Sequence, residues 1–296
     1  MAATTTPSGG AGTTPPGTGA STPPGGSAAP AGAARRAAAE PIRSRPSSKF
    51  LPLRFYSTAV GKKWVMGVTG VALMGFVLAH LIGNLKLYLS KEEINLYGEA
   101  LRNMPGALLP RTVLLWTLRI GLILAFVFHI HAAAGLTLIN RRARPAADRY
   151  QSKRDYVAAD YASRTMRWTG VIILLFLIFH LMDLTWGNAN PQFLRGDPYN
   201  NLIYSMQRVP VAIVYILAMI ALALHLYHGA WSMFQSMGIT NPRYNKLRRR
   251  FAQGFALVIL VGNCSFPIAV QLHLVEVDCP GQVPTTQVCH SKVEAA

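Results

Sequence analysis

The sequence predicts an all-α fold, an integral membrane bundle of five transmembrane helices, from three observations. Five long apolar segments follow one another, charged residues are almost confined to the stretches between them, and Lys and Arg gather in alternate stretches. The chain is 51% hydrophobic with a formal net charge of +17 over 296 residues. That balance suits either a nucleic-acid binder or a multispanning membrane protein. A nucleic-acid module would spread its basic residues over one folded face and would not hold apolar stretches of ~20 residues. The layout of the charges therefore argues against a nucleic-acid partner.

Residues 1–47 consist largely of Ala, Gly, Pro, Thr and Ser without apolar periodicity. Such a stretch cannot bury enough surface to offset its chain entropy and reads as a disordered tail. It lacks the apolar core of a signal peptide. The membrane domain is expected over 48–275, with a polar external tail over 276–296. Within the domain the apolar segments run approximately 64–85, 112–139, 168–187, 209–235 and 252–273. Each is long enough to cross ~30 Å of hydrocarbon at ~1.5 Å per residue. Pro210 is tolerated in a first turn, whereas Asn263 and Pro267 fall inside the fifth segment.

The intervening stretches set the orientation. Arg43, Arg45, Lys49, Arg54, Lys62 and Lys63 precede the first segment. Arg141, Arg142, Arg144, Arg149, Lys153, Arg154, Arg164 and Arg167 lie between the second and third, and Arg243, Lys246, Arg248, Arg249 and Arg250 between the fourth and fifth. The alternate loops are mixed in sign, with Lys86, Lys91, Glu92, Glu93 and Glu99 in one and Arg195 and Asp197 in the other. The positive-inside bias puts the N-terminus in the cytoplasm and the C-terminus outside.

Six of the eight histidines fall inside apolar segments: His80, His129, His131, His180, His225 and His228. Ionisable side chains at membrane depth are costly and usually mark function, although any single one can be a packing hydrogen bond. Four segments carry such a histidine and the fifth has none at depth, since His273 ends it. That distribution suits two metal centres, each held between a pair of helices. Heme is the natural candidate, because an apolar interior favours the neutral imidazole that binds iron. No Cys or carboxylate array accompanies the histidines to make a zinc or di-iron site.

Depth sorts them into pairs. His80 lies six residues before Lys86 and His180 six before Trp186, so both sit ~9 Å below the outer boundary. His131 lies twenty residues inward from Arg111 and His225 fifteen from Pro210, roughly 30 and 22 Å. His129 and His131 are two residues apart and project to nearly opposite sides of a helix, so they cannot share one iron. Gly135 and Gly229, at i+4 from His131 and His225, would leave room for a porphyrin and favour those two over His129 and His228.

At these residues the sequence resembles the single-chain, five-helix, diheme cytochrome b subunits of bacterial succinate dehydrogenases and fumarate reductases. The stretches that carry the resemblance are AHLIGN around His80, HAAAG from His131, RWTGVIILLFLIFH ending at His180, and HLYHGAWSMFQSMGIT from His225. It covers roughly residues 55–272. It implies an outer heme b ligated by His80 and His180 and an inner one by His131 and His225. Arg167, at the cytoplasmic start of the third segment, is a candidate partner for an inner-heme propionate. The resemblance also implies partners: a flavoprotein that oxidises succinate and an iron–sulfur subunit on the cytoplasmic face. The chain would then be the non-flavin electron-transfer subunit of a succinate:menaquinone oxidoreductase in a bacterial cytoplasmic membrane.

Neither a GxGxxG motif nor a Cys array is present, so flavin and cluster would belong to those partners. Cys279 and Cys289 share the tail and can pair if it meets an oxidising compartment. The nearest rival is a heme b anchor of a formate dehydrogenase or hydrogenase. A proton-coupled transporter is disfavoured, since no internal repeat or broken helix is visible in the sequence. A quinone site is expected near the outer heme, close to His80, His180 and Asp183, the alternative being an inner site beside the iron–sulfur partner. Glu92, Glu93 and Glu99 are expected to exchange protons with the outside.

Overall fold

A computed structural model describes residues 50–104, 110–142, 161–239 and 241–278. The expected N-terminal tail, Arg144, Arg149, Lys153, Arg154, Cys279 and Cys289 lie outside them. Helices run in the order α1 (Leu51–Ser57), α2 (Ala59–Asn84), α3 (Lys91–Asn103), α4 (Val113–Arg142), α5 (Tyr161–Leu184), α6 (Pro198–Gln207), α7 (Val209–Ser236) and α8 (Asn245–Gln271). One 3₁₀ turn, Leu85–Tyr88, follows α2, and another, Pro242–Tyr244, precedes α8.

Five of these helices, α2, α4, α5, α7 and α8, are long and apolar enough to cross a membrane. They start and stop on local signals. Thr58 caps α2 by accepting from the Gly61 amide at 2.9 Å. Arg208 precedes α7, and Pro210 sits in its first turn where a missing N–H costs nothing. Helix α8 continues through Pro267.

The apolar windows of α2, α4 and α5 are 11%, 0% and 6% buried within the protein, so most of their side chains face outward. Water cannot be the medium for such a surface; hydrocarbon can. All five tryptophans lie near helix ends, as expected of rings that anchor at a headgroup boundary. Trp64, Trp168 and Trp231 mark the end rich in Lys and Arg, and Trp116 and Trp186 the other.

Close backbone packing joins α2 with α4, α5 with α7, α7 with α8, and α2 with both α7 and α8. The first four spans therefore form a four-helix bundle in which α2/α5 and α4/α7 are the diagonals, and α8 packs outside against α7 and α2. Gly262 of α8 meets the Leu81 side chain of α2, and a Cβ there would come within 2.7 Å of it. Such close approach through small residues replaces the hydrophobic drive that membrane helices lack.

Two helices absent from the sequence reading close the end remote from the basic residues. Helix α3 opens on Ser90, whose hydroxyl accepts from the Glu93 amide at 3.2 Å. Helix α6 opens on Asp197 and Pro198, and its residues Asn200 to Met206 are all buried. Asn95 of α3 donates to Asp197, and Asn95 Oδ1 accepts from the Tyr199 amide. Gln271 Nε2 donates to the Met206 carbonyl at 2.6 Å, tying α6 to the end of α8.

Candidate functional site

The two diagonals are where the histidines meet. On the first, the rings of His80 (α2) and His180 (α5) lie with centroids 5.9 Å apart and nearly perpendicular planes. Each is braced by a phenylalanine one turn earlier on its own helix: Phe76 stacks on His80 at 5.5 Å, and Phe176 lies tilted against His180 at 5.8 Å. Asn84 Nδ2 lies 3.2 Å from His80 Nε2, a contact that a metal at that nitrogen would displace. His180 Nδ1 lies 3.3 Å from the Tyr215 hydroxyl, which donates to Asp183 Oδ2 at 3.0 Å.

Asp183 is wholly buried and fully engaged. It pairs with Arg208 and accepts from Ser205 as well as from Tyr215. With both oxygens engaged, Asp183 holds α5 to the start of α7.

On the second diagonal, His129 of α4 faces His225 of α7, with ring centroids 6.4 Å apart and planes at 59°. His129 stands where His131 was expected. The His131 ring turns the other way and stacks at 5.6 Å on Tyr56, whose hydroxyl meets His131 Nδ1. Gly135 shares that outward face, and a Cβ there would come within 2.9 Å of the Lys62 side chain. Lys62 in turn bonds the Tyr56 carbonyl at 3.0 Å and lies over the Tyr56 ring. Gly135 thus makes room for the Lys62 side chain. Gly229, one turn beyond His225, has nothing within 4 Å of a Cβ built on it.

The two helices of the first diagonal share a repeated segment that the sequence reading overlooked. Thr69-Gly70-Val71, Phe76 and His80-Leu81 of α2 recur as Thr169-Gly170-Val171, Phe176 and His180-Leu181 of α5, one hundred residues on. The copies perform equivalent tasks. Thr69 Oγ1 lies 3.3 Å from His129 Nδ1, and Thr169 Oγ1 lies 3.2 Å from His225 Nδ1. A Cβ on Gly70 would touch His129 Cε1 at 3.5 Å, and one on Gly170 would touch His225 Cε1 at 3.6 Å.

Both pairs have the spacing that an iron held between two imidazoles would need. With ~2 Å per metal–nitrogen bond, two imidazoles on opposite faces of one metal have ring centroids roughly 6 Å apart. Both observed separations fit. Among the described residues no three His, Cys, Asp or Glu side chains converge, which leaves two protein ligands per centre and suits a macrocycle that supplies the rest. Backbone packing is not close along either diagonal, so side chains alone span the gap. Arg167 is exposed at the basic end of α5. An apolar groove of about 460 Å³ lies elsewhere, along α8 between Tyr88, Leu260 and Leu274.

Fold and site together define a multi-pass helical membrane protein with paired histidines across the interior of its bundle. Residues 137–262 match the family described as succinate dehydrogenase/fumarate reductase transmembrane subunit, which supports a membrane subunit of that oxidoreductase complex. The matched stretch contains Thr169, His180, Asp183 and His225 but stops short of His80 and His129 on its N-terminal side. Neither a curated protein nor a solved structure matches the chain.

Proposed function

We propose that this chain is the cytochrome b anchor of a bacterial succinate:menaquinone oxidoreductase, with one heme b between His80 and His180 and a second between His129 and His225. The observation that carries this reading is the meeting of two histidine pairs on the two bundle diagonals, in a chain with the family likeness just described. When bound, two such hemes supply one-electron transfer along the bundle axis. The protein's part is to hold each imidazole neutral and oriented in an apolar interior.

The Lys- and Arg-rich end, including Lys62, Lys63, Arg141, Arg142 and Arg243, is the cytoplasmic face in this reading, and it would receive the iron–sulfur subunit. The flavoprotein that oxidises succinate would stand beyond that partner. Arg167, exposed at the same end, is the candidate counter-charge for an inner-heme propionate.

The quinone would bind near the outer pair at the opposite end, beside His80, with Asp183 supporting His180 from behind through Tyr215. A heme at that depth has a purpose only if electrons are delivered there. Low-potential menaquinone fits, because electron transfer from succinate then draws on the membrane potential. Hydrogen bonds from its own backbone and from Ser90 hold the Glu92 carboxyl below the usual range, and hydrogen bonding to Arg102 does the same for Glu99. Both therefore stay ionised near neutrality, as fixed negative charge at the mouth of that site. Glu93 remains the candidate for proton exchange, with its carboxylate 2.8 Å from Lys86 Nζ.

The test is optical and magnetic spectroscopy of the purified complex. Succinate is expected to reduce two low-spin, six-coordinate b hemes, and carbon monoxide to leave both spectra unchanged. Binding of carbon monoxide at both hemes would remove the two-histidine assignment. Reduction by formate or hydrogen but not by succinate would favour an anchor of another quinone-linked dehydrogenase.

A further inference from the structure

We propose that Thr69 and Thr169 are matched positioning residues that fix the tautomer and donor strength of the two inner-heme histidines; this rests on the heme reading above. Thr169 is buried and Thr69 half-buried within their spans, and each hydroxyl gives its proton to a carbonyl of its own helix. Thr69 Oγ1 donates to the Val65 carbonyl at 2.6 Å, with the Met66 carbonyl at 3.3 Å. Thr169 Oγ1 donates to the carbonyls of Thr165 at 3.2 Å and Met166 at 3.1 Å. A hydroxyl has one proton and two lone pairs. With the proton committed to the helix backbone, the oxygen can only accept from the imidazole beside it.

The nitrogens at 3.3 and 3.2 Å are Nδ1 of His129 and Nδ1 of His225. Both rings must therefore carry their proton on Nδ1, which leaves Nε2 bare as the metal-binding atom. The carbonyl–hydroxyl–imidazole chain also increases the basicity of Nε2, as outer partners of metal-bound histidines do. Gly70 and Gly170, each next to its threonine, allow the ring to lie against the helix so that the bond can form.

The outer pair is built differently. His180 Nδ1 meets Tyr215, whose proton goes to the Asp183 carboxylate, so an ionised group stands behind that ring. The inner histidines have only neutral carbonyls behind theirs. The two centres are thus tuned by different partners, and the threonines act on the inner one alone.

Thr69→Val and Thr169→Val keep the shape of the side chain and delete the acceptor; Thr69→Ser and Thr169→Ser keep the acceptor. In redox titrations of the intact complex, each valine variant is expected to move the inner-heme midpoint to a more positive potential. The cause is a weaker imidazole donor that stabilises ferric iron less. The low-spin electron paramagnetic signal of that heme should move with it. The outer heme should stay in place, and the serine variants should match the unmodified complex. Loss of the inner heme in a valine variant with retention in the serine variant would equally support the assignment. An unchanged potential and signal in both valine variants, a shift confined to the outer heme, or equal heme loss in the serine and valine variants would overturn it. Absence of heme from the unmodified complex would remove the functional reading as well, and is distinguishable from an unshifted potential in a loaded one.

Discussion

Replacing His225 or His129 by alanine is expected to lower the heme content of the purified complex from two per chain to one, whereas His131→Ala and His228→Ala should leave two. The first two rings face each other across the α4/α7 diagonal at 6.4 Å, so removing either takes away one of the two protein bonds to that iron. His131 points to the opposite side of α4, against Tyr56. Its loss should cost only that packing and its hydrogen bond, about 1 kcal/mol or less at an exposed site. His228 lies about one turn beyond His225, and its replacement should at most shift the inner-heme potential. Heme extraction and quantification on the four variants decides the matter. Loss of one heme in His131→Ala with retention in His129→Ala would restore the sequence-based choice.

The second large effect is expected at Asp183. Asp183→Ala leaves Arg208 without its ion-pair partner and deprives the Ser205 and Tyr215 hydroxyls of a shared acceptor. Breaking a buried pair by removing one member costs ~3–5 kcal/mol. The lower end applies here, since the Arg208 side chain is 30% exposed and keeps a hydrogen bond to the Ala189 carbonyl. Thermal denaturation of the detergent-solubilised complex should show a clear fall in midpoint for Asp183→Ala and a smaller one for Asp183→Asn, which fills the same space and keeps one acceptor oxygen. An unchanged midpoint in Asp183→Ala would show that α5 is not held to α7 in this way.

The spans were legible because bilayer thickness imposes a length on every apolar segment, and Trp64, Trp168 and Pro210 mark their ends. The two capping helices were not read, although each has a local signature: Ser90 three residues before Glu93, and Asp197 followed by Pro198. Both stretches contain charged residues, and attention to charge sign hid their helical caps.

That His80 and His180 face each other agrees with their shared depth. Which of His129 and His131 turns toward His225 was not legible, because glycine at i+4 reports space on a face without saying what fills it, and Lys62 fills the space at Gly135. Two residues along a helix reverse the direction of a side chain, so His129 and His131 could be separated only by knowing which face of α4 turns inward. That information was present in the repeat. Thr69 and Thr169 stand eleven residues before His80 and His180, in a register that marks α2 and α5 as equivalent and their Thr-Gly faces as inward. Read that way, α4 and α7 become the equivalent partners.

The central claim is that each chain holds two hemes, one on each diagonal of its bundle. The most direct measurement is the ratio of extractable heme b to this chain in the purified complex, determined together with the ferrous-minus-ferric spectrum. Two hemes per chain, released without breaking a covalent bond and both low-spin, is the expected result. A ratio of one or zero in the intact, fully assembled complex would contradict it.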